Sequence, residues 1–186
     1  MIDNKKIVVI IPARGGSNRL KRKNIYQIWG RPMIYWSINA CKKSKYIDDI
    51  YVSTEDTEIK KISESYGAII IDRPKELSEG HVFKQDVIVN ALEQIKAEHD
   101  IVISLQPNSP EIKTLDLDNA LEKFIKFDRD EIISVDEDLI QNAAFRIMKK
   151  DYAFQKSLST KMGVYVTNCI DVHTIQDVKK IIKNNV

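Results

Sequence analysis

Both standard phosphate-binding motifs are missing from this sequence. There is no GxxxxGK[ST], which excludes an ordinary P-loop, and no GxGxxG, which excludes a dinucleotide fingerprint. Cysteine is scarce: Cys41 and Cys169 are the only two. Two cysteines in 186 residues do not make a disulfide framework and point to a reduced, cytoplasmic setting. Cys41 reads as a packed thiol on the apolar face of a helix. No run is long and apolar enough to span a membrane, and Met1 to Lys6 leads into a strand with no signal-peptide pattern. The net charge is only +2, too small for a nucleic-acid footprint. Repeats, low-complexity stretches and linkers are lacking as well. What remains, with 43% apolar and 30% charged residues, fits one globular domain over residues 1–186.

The informative stretch lies near the start. Ile7-Val8-Val9-Ile10-Ile11-Pro12 is an unbroken, mostly β-branched run, the signature of a strand buried on both faces. Gly15-Gly16 follows at once, and Arg14, Arg19, Lys21, Arg22 and Lys23 crowd five cations into ten residues. Glycines let backbone N–H groups converge on an anion and the cations neutralise its charge. The alternative is a solvated basic loop. The glycine pair directly after a buried strand favours a nucleotide polyphosphate, at the carboxyl end of the strand where open α/β sheets bind ligands.

The remaining pattern alternates. Pro32 can open a helix in which Met33, Ile34, Trp36, Ser37, Ala40 and Cys41 recur at helical spacing. Asp49–Ser53 reads as a strand. Thr54 or Thr57 could cap the next helix, which runs to Tyr66 and stops at Gly67. Ala68–Ile71 is a strand and Asp72–Gly80 a loop. A helix follows with Phe83, Val87, Ile88, Ala91, Leu92 and Ile95 as its buried side. Ile101–Leu105 is a strand, Gln106–Pro110 irregular, Leu115–Phe127 a helix and Glu131–Val135 a strand. Ala144–Met148 and Gly163–Thr167 read as strands, and Thr174 as the cap of a final helix over Ile175–Lys183, with Asp177 a favourable charge in its first turn. The class is α/β, a three-layer α/β/α arrangement with a mainly parallel twisted sheet.

The stretch IIPARGGSNRLKRKNI resembles the nucleotide-binding signature of the acylneuraminate cytidylyltransferases, the CMP-sialic acid synthetase family, whose usual form is close to IPARGGSKRLPRKNI. Asn18 stands where the family has Lys, and Lys21 where it has Pro. The resemblance implies a Rossmann-like nucleotidyltransferase fold. It casts Arg14, Arg19 and Lys23 as the catalytic cations facing phosphates, with Ala13, Gly15, Gly16, Ser17 and Asn24 lining the nucleotide. Arg73-Pro74 with Glu76-Leu77-Ser78 resembles the family's RPxELS segment and makes Arg73 a base contact. The rival reading of Arg73 is a surface arginine paired with Asp72 or Glu76. Lys84 falls where relatives often have a small polar residue. Leu105 to Pro110 resembles LQPTSPLR and sets Gln106 facing the acceptor, with Glu111-Ile112 in place of Leu-Arg.

Ile170 to Thr174 resembles a D-I-D-T segment in which two aspartates bind the metal. Asp171 matches and His173 takes the second place. Carboxylate oxygen suits Mg²⁺ (or Mn²⁺), and neutral imidazole suits softer metals. Asp171 is therefore the expected ligand, and His173 a neighbour of it or a hydrogen-bond partner of a phosphate. The resemblance runs from Lys6 to Asn119 and resumes at Gly163 to Ile181. The intervening segment is shorter than in relatives, and the RxNGxxY sequence is cut down to Lys161–Tyr165.

The resemblance implies transfer of CMP from CTP to an acidic sugar, with release of pyrophosphate. It also implies a homodimer, which the shortened arm works against. Two alternatives stand beside it: a nucleotide-binding homologue without turnover, and a nucleotidyltransferase for another base or a non-sugar acceptor.

Overall fold

The computed structural model describes residues 1–155 and 159–184. Strand β1 (Ile7–Pro12) is its centre, and Ile7 to Ile11 are all 0% exposed. The run is unbroken because both faces are covered. Ile7, Val9 and Ile11 point into one core, with Ile34 and Ile38 of α1 (Met33–Lys42), Ile59 of α2 (Thr57–Ser65), and Leu117, Leu121 and Phe124 of α4 (Thr114–Lys126). Val8 and Ile10 point into the other, with Ile88, Ala91 and Leu92 of α3 (Lys84–Gln94) and Ala153 of α5 (Lys150–Ala153). Each such side chain contributes roughly 1.5–3 kcal/mol on leaving water, so β1 is the best-held strand of the sheet.

β1 lies between β4 (Asp49–Thr54) and β6 (Ile101–Leu105), parallel to both, with Val9 opposite Ile50 and Ile103. The remaining strands are β5 (Ile69–Asp72), β7 (Glu131–Val135), β8 (Gln141–Lys149) and β9 (Met162–Val166). The seven run in the order β5-β4-β1-β6-β8-β7-β9. β8 is antiparallel to β6 and β7 and the other pairs are parallel, so the sheet is mainly parallel, as expected. The chain winds outward from β1 through β4 to β5, then returns to β6 on the far side of β1. That reversal opens a crevice at the carboxyl ends of β1 and β6.

A two-stranded hairpin, β2 (Gln27–Ile28) and β3 (Arg31–Pro32), leads into α1. Its two turn residues, Trp29 and Gly30, both have positive φ, 50° and 73°. The final helix is α6 (Ile175–Asn184). Among the described residues no helix is long and apolar enough to cross a membrane. Cys41 and Cys169 are free and buried. Burial pushes the thiol pKa of Cys41 up, and that of Cys169 up to about 12.

Three local expectations need correction. The cap of α2 is Asp56, not Thr54 or Thr57; its carboxylate accepts from Glu58 N and Ile59 N at 3.0 Å. Thr54 belongs to β4 and is buried, and its hydroxyl accepts from Asp56 N instead. Phe83 precedes the first turn of α3 and is 70% exposed, so it is not on the buried side. Residues Lys75–Ser78 form a short 3-10 turn inside the expected loop.

Candidate functional site

The crevice at the end of β1 is a cavity of about 440 Å³. Four loops wall it: residues 12–24 after β1, residues 73–82 after β5, residues 106–108 after β6, and residues 171–173 before α6. A small apolar cluster brings the first and last together across 150 residues of sequence. Leu20, from the cation loop, packs with Ile28 and Met33, with Val172, and with Val178 and Ile181 of α6. Val172 is 0% exposed, so the residues either side of it, Asp171 and His173, are turned outward into the cavity.

Nine of the expected site residues line this cavity: Arg14, Gly16, Ser17, Arg19, Lys23, Asn24, Arg73, Gln106 and Asp171. Ala13 and Gly15 do not. Ala13 is fully buried and its amide donates to Ser53 O at 3.0 Å. The Gly15 amide donates to Glu55 Oε1 at 2.8 Å, so it is not a free donor as expected. The cations also divide. Arg22 turns away, pairing with Asp56 and Glu58 at 2.5 Å each, and straps the loop to the start of α2. Its αL backbone, φ 56° and ψ 33°, opens the turn at Lys23–Ile25. Lys21 is exposed.

Five cations therefore face the cavity, Arg14, Arg19, Lys23, Arg73 and Lys84, against the carboxylates of Glu79 and Asp171. Desolvation lowers the pKa of Lys23; Asp171 opposes this, while Arg19, Arg14 and Lys84 add to it. Desolvation likewise lowers that of Lys84, again opposed by Asp171. Packing like charges in this way costs free energy that an entering polyanion would return.

Arg73 is 6% exposed, donating from Nε to Ser53 Oγ at 3.2 Å and from Nη2 to Ser53 O at 2.5 Å. Burial, partly offset by Glu55 and reinforced by Arg14, brings its pKa down to about 10. This replaces the rival reading of a surface pair: Asp72 pairs with Lys60 instead. Glu55 ties the loops together, since its Oε2 accepts from Ser78 Oγ at 2.9 Å while Oε1 holds Gly15. Asn24 secures the cation loop from within, donating to Arg14 O at 2.8 Å.

His173 is fixed between two partners. Its Nδ1 lies 2.8 Å from Arg19 Nη2, and its Nε2 lies 2.9 Å from Asp171 Oδ2. Arginine only donates, so Nδ1 must accept, and Nε2 carries the proton and donates to Asp171. His173 is thus a strut between a loop cation and the aspartate, a neighbour of Asp171 as the first of its two expected roles has it. Asn108, whose role the sequence did not disclose, donates to the other Asp171 oxygen and to Val172 O. Val172 N returns a bond to Asn108 O at 2.8 Å. Asparagine between two prolines was the available signal. Lys84, noted in the sequence only as a departure from the family's small polar residue, was not named a site residue, yet it lines the cavity.

Several known proteins are similar to this chain in sequence or in fold. The pseudaminic acid cytidylyltransferase of Campylobacter jejuni is 37% identical over 125 residues, 65% of this chain and 54% of that protein. The N-acylneuraminate cytidylyltransferase of Oncorhynchus mykiss is 32% identical over 124 residues, 67% of this chain and 28% of that protein. The chain thus spans about half the length of the first of these, and less of the second. A solved structure of CMP:2-keto-3-deoxy-manno-octonic acid synthetase complexed with CTP shares the fold, with a TM-score of 0.80 at 16% identity over 97% of this chain and 98% of that one. The cytidylyltransferase family model matches residues 8–185, from β1 through the Asp171 loop to α6, and this chain belongs to that family.

Proposed function

We propose that this chain transfers CMP from CTP to an acidic sugar and releases pyrophosphate. The observation that carries the reading is the cavity itself: five cations and one aspartate–histidine pair gathered at the sheet's reversal point, with only one wall of the site drawn from each loop. In the reaction an acceptor oxygen attacks the α-phosphate of CTP in line with the departing pyrophosphate. Little covalent work falls to the protein, which aligns the oxygen and neutralises charge. Arg14, Arg19 and Lys23 serve the phosphates together with the Gly16 and Ser17 segment, Arg73 the base, and Gln106 the acceptor side.

The residues present fit a hard divalent ion in one way. Among the described residues no three acidic, histidine or cysteine side chains converge. Asp171 offers a single carboxylate among the cations of the cavity, an oxygen donor that would suit Mg²⁺ or Mn²⁺. Bound there, such an ion would neutralise charge on the phosphates. His173 and Asn108 hold the Asp171 carboxylate in one orientation for it. We place the reaction in the cytoplasm, and two copies pairing through a dimer completes the proposal.

Titration calorimetry with CTP and Mg²⁺, followed by pyrophosphate release across keto-sugar acids, tests this. Heat of CTP binding and release with at least one acid are expected. A folded sample that binds no CTP overturns the proposal. CTP binding without release from any acid would instead support a nucleotide-binding homologue without turnover.

A further inference from the structure

The turn between β4 and α2 holds two walls of the crevice at once. Its own backbone is fixed on both sides. Ser53 O accepts from Ala13 N at 3.0 Å, and Thr54 O accepts from Arg73 N at 3.2 Å. Asp56 caps α2, and its amide donates to Thr54 Oγ1 at 3.1 Å. Glu55 projects from this turn and is half-buried. Its two carboxylate oxygens go to different walls. Oε1 accepts from the Gly15 amide at 2.8 Å, in the loop after β1. Oε2 accepts from Ser78 Oγ at 2.9 Å, in the loop after β5. Both bonds end on a charged group and belong to the stronger class of hydrogen bond.

Among the described residues one other hydrogen bond joins these two walls directly. Arg14 Nη1 donates to Ser78 O at 3.4 Å, a long contact. Arg14 also faces the cavity, where a triphosphate draws its guanidinium away from a neutral carbonyl. The wall after β5 is lightly anchored beyond that. Leu77 N donates to Pro74 O at 3.0 Å within the same loop, and Glu79 and Gly80 are exposed. Arg73 keeps its place without Glu55, since its side chain is tied to Ser53. Residues 77–80 are therefore the part whose distance from the loop after β1 is set by Glu55.

We infer that Glu55 is a positioning residue that fixes the width of the slot between the two loops and so selects a nucleotide with a one-ring base. The inference rests on the CTP reading above, in which the phosphates lie on the loop after β1 and the base against the loop after β5. The nucleotide then spans both walls. With the two oxygens of one carboxylate engaged, the span has a single width. A pyrimidine fits within it. A purine carries a second fused ring and must push residues 77–80 outward, which breaks a charge-assisted bond. Glu55 does not itself line the cavity, so it acts through Gly15 and Ser78.

Three variants of the full chain separate a span from a charge. E55A removes both bonds. E55Q keeps them: the amide oxygen accepts from Gly15 N, and the NH₂ group donates to Ser78 Oγ, a hydroxyl that can turn to accept. S78A cuts the link on the far side and leaves the Glu55 charge in place. Each is titrated by calorimetry with CTP, ATP and inorganic triphosphate, beside the parent. The readout is the ratio of CTP to ATP affinity, which a merely structural loss does not move because it weakens every ligand alike. In E55A and S78A the ratio should fall at least about tenfold, the worth of one hydrogen bond to a charged group. In E55Q it should stay within about twofold of the parent, because both contacts survive the change of charge. Inorganic triphosphate has no base and should bind E55A at least as tightly as the parent, since a nearby negative charge is gone. An unchanged ratio in either E55A or S78A overturns the inference while leaving the CTP reading standing. So does a ratio lost equally in E55Q and E55A, because charge rather than span would then be responsible. S78A keeps the test decisive if E55A does not fold. A parent that binds inorganic triphosphate but prefers neither nucleotide sinks the inference and leaves the phosphate crevice. A parent that binds none of the three overturns the CTP reading, and the inference with it.

Discussion

At the scale of single residues, Gly15 and Gly16 look alike in sequence and do different work. A Cβ at Gly15 would lie 2.4 Å from Asp56 Oδ2 and 2.9 Å from Asp56 Cβ, against the cap of α2. At Gly16 it would meet nothing within 4 Å. G15A therefore pushes the loop off α2 and lowers stability by about 1–3 kcal/mol, the usual cost of overpacking. G16A leaves stability unchanged within about 0.5 kcal/mol. Urea unfolding of the two variants decides it, and equal midpoints would show the close approach to Asp56 to be unimportant. The sequence disclosed that this loop needs two glycines but not that only the second faces the cavity. That difference depends on where Asp56 sits, forty residues on. The same holds for the cations. Crowding pointed to all five cations alike and the family resemblance singled out Arg14, Arg19 and Lys23; the pairing with Asp56 and Glu58 shows why Arg22 stays out of the cavity.

At the scale of elements, the strands that carry continuous apolar runs could be bounded from sequence alone. β1, β6 and β7 fall where expected because burial on both faces writes itself into every residue. The antiparallel entry of β8 between β6 and β7 could not, since pairing is a contact between distant segments and leaves no local mark. The β2–β3 hairpin was hidden for another reason: its turn places Trp29, a bulky residue, at positive φ. β7 and β8 are also joined at their ends by an ionic clamp. Lys149 Nζ lies 2.9 Å from both Asp128 and Asp130. The hydrogen bond from Lys149, opposed by burial and helped by Ser159 and Tyr152, holds the Asp130 pKa down at about 2. The unfolded value is about 3.9. A depressed folded pKa stabilises above the unfolded value and is lost as pH falls through the folded one. Stability of the parent should therefore fall between about pH 4 and pH 2, and D130N should flatten that limb. Melting temperature against pH for both proteins measures it; identical acid limbs would show that the clamp contributes nothing.

At the scale of the whole molecule, the site exists only because distant segments close on it. The cation loop is held by Glu55 and Asp56 on one side and by the Leu20–Val172 cluster on the other, and His173 bridges Arg19 to Asp171. A triphosphate lying among these parts binds the folded chain and not the unfolded one, so it must stabilise the fold as a unit. At CTP one hundred times its dissociation constant the gain is about 2.7 kcal/mol. For a chain of this length each kcal/mol raises the melting temperature by roughly 2–4 °C, which gives a rise of about 5–11 °C. Added salt should shrink the rise, because the attraction is carried by charges near the surface. H173A removes the strut while leaving all five cations of the cavity in the chain. If the strut holds Arg19 and Asp171 in register, CTP binds about tenfold more weakly and about 1.4 kcal/mol of the stabilisation is lost. Differential scanning fluorimetry of parent and H173A, with CTP, UTP, GTP and ATP at two salt concentrations, reads all of this at once. A rise with CTP that is unchanged in H173A would mean that the loops hold their places without His173. An equal rise with all four nucleotides would mean that Arg73 and the loop after β5 do not select the base.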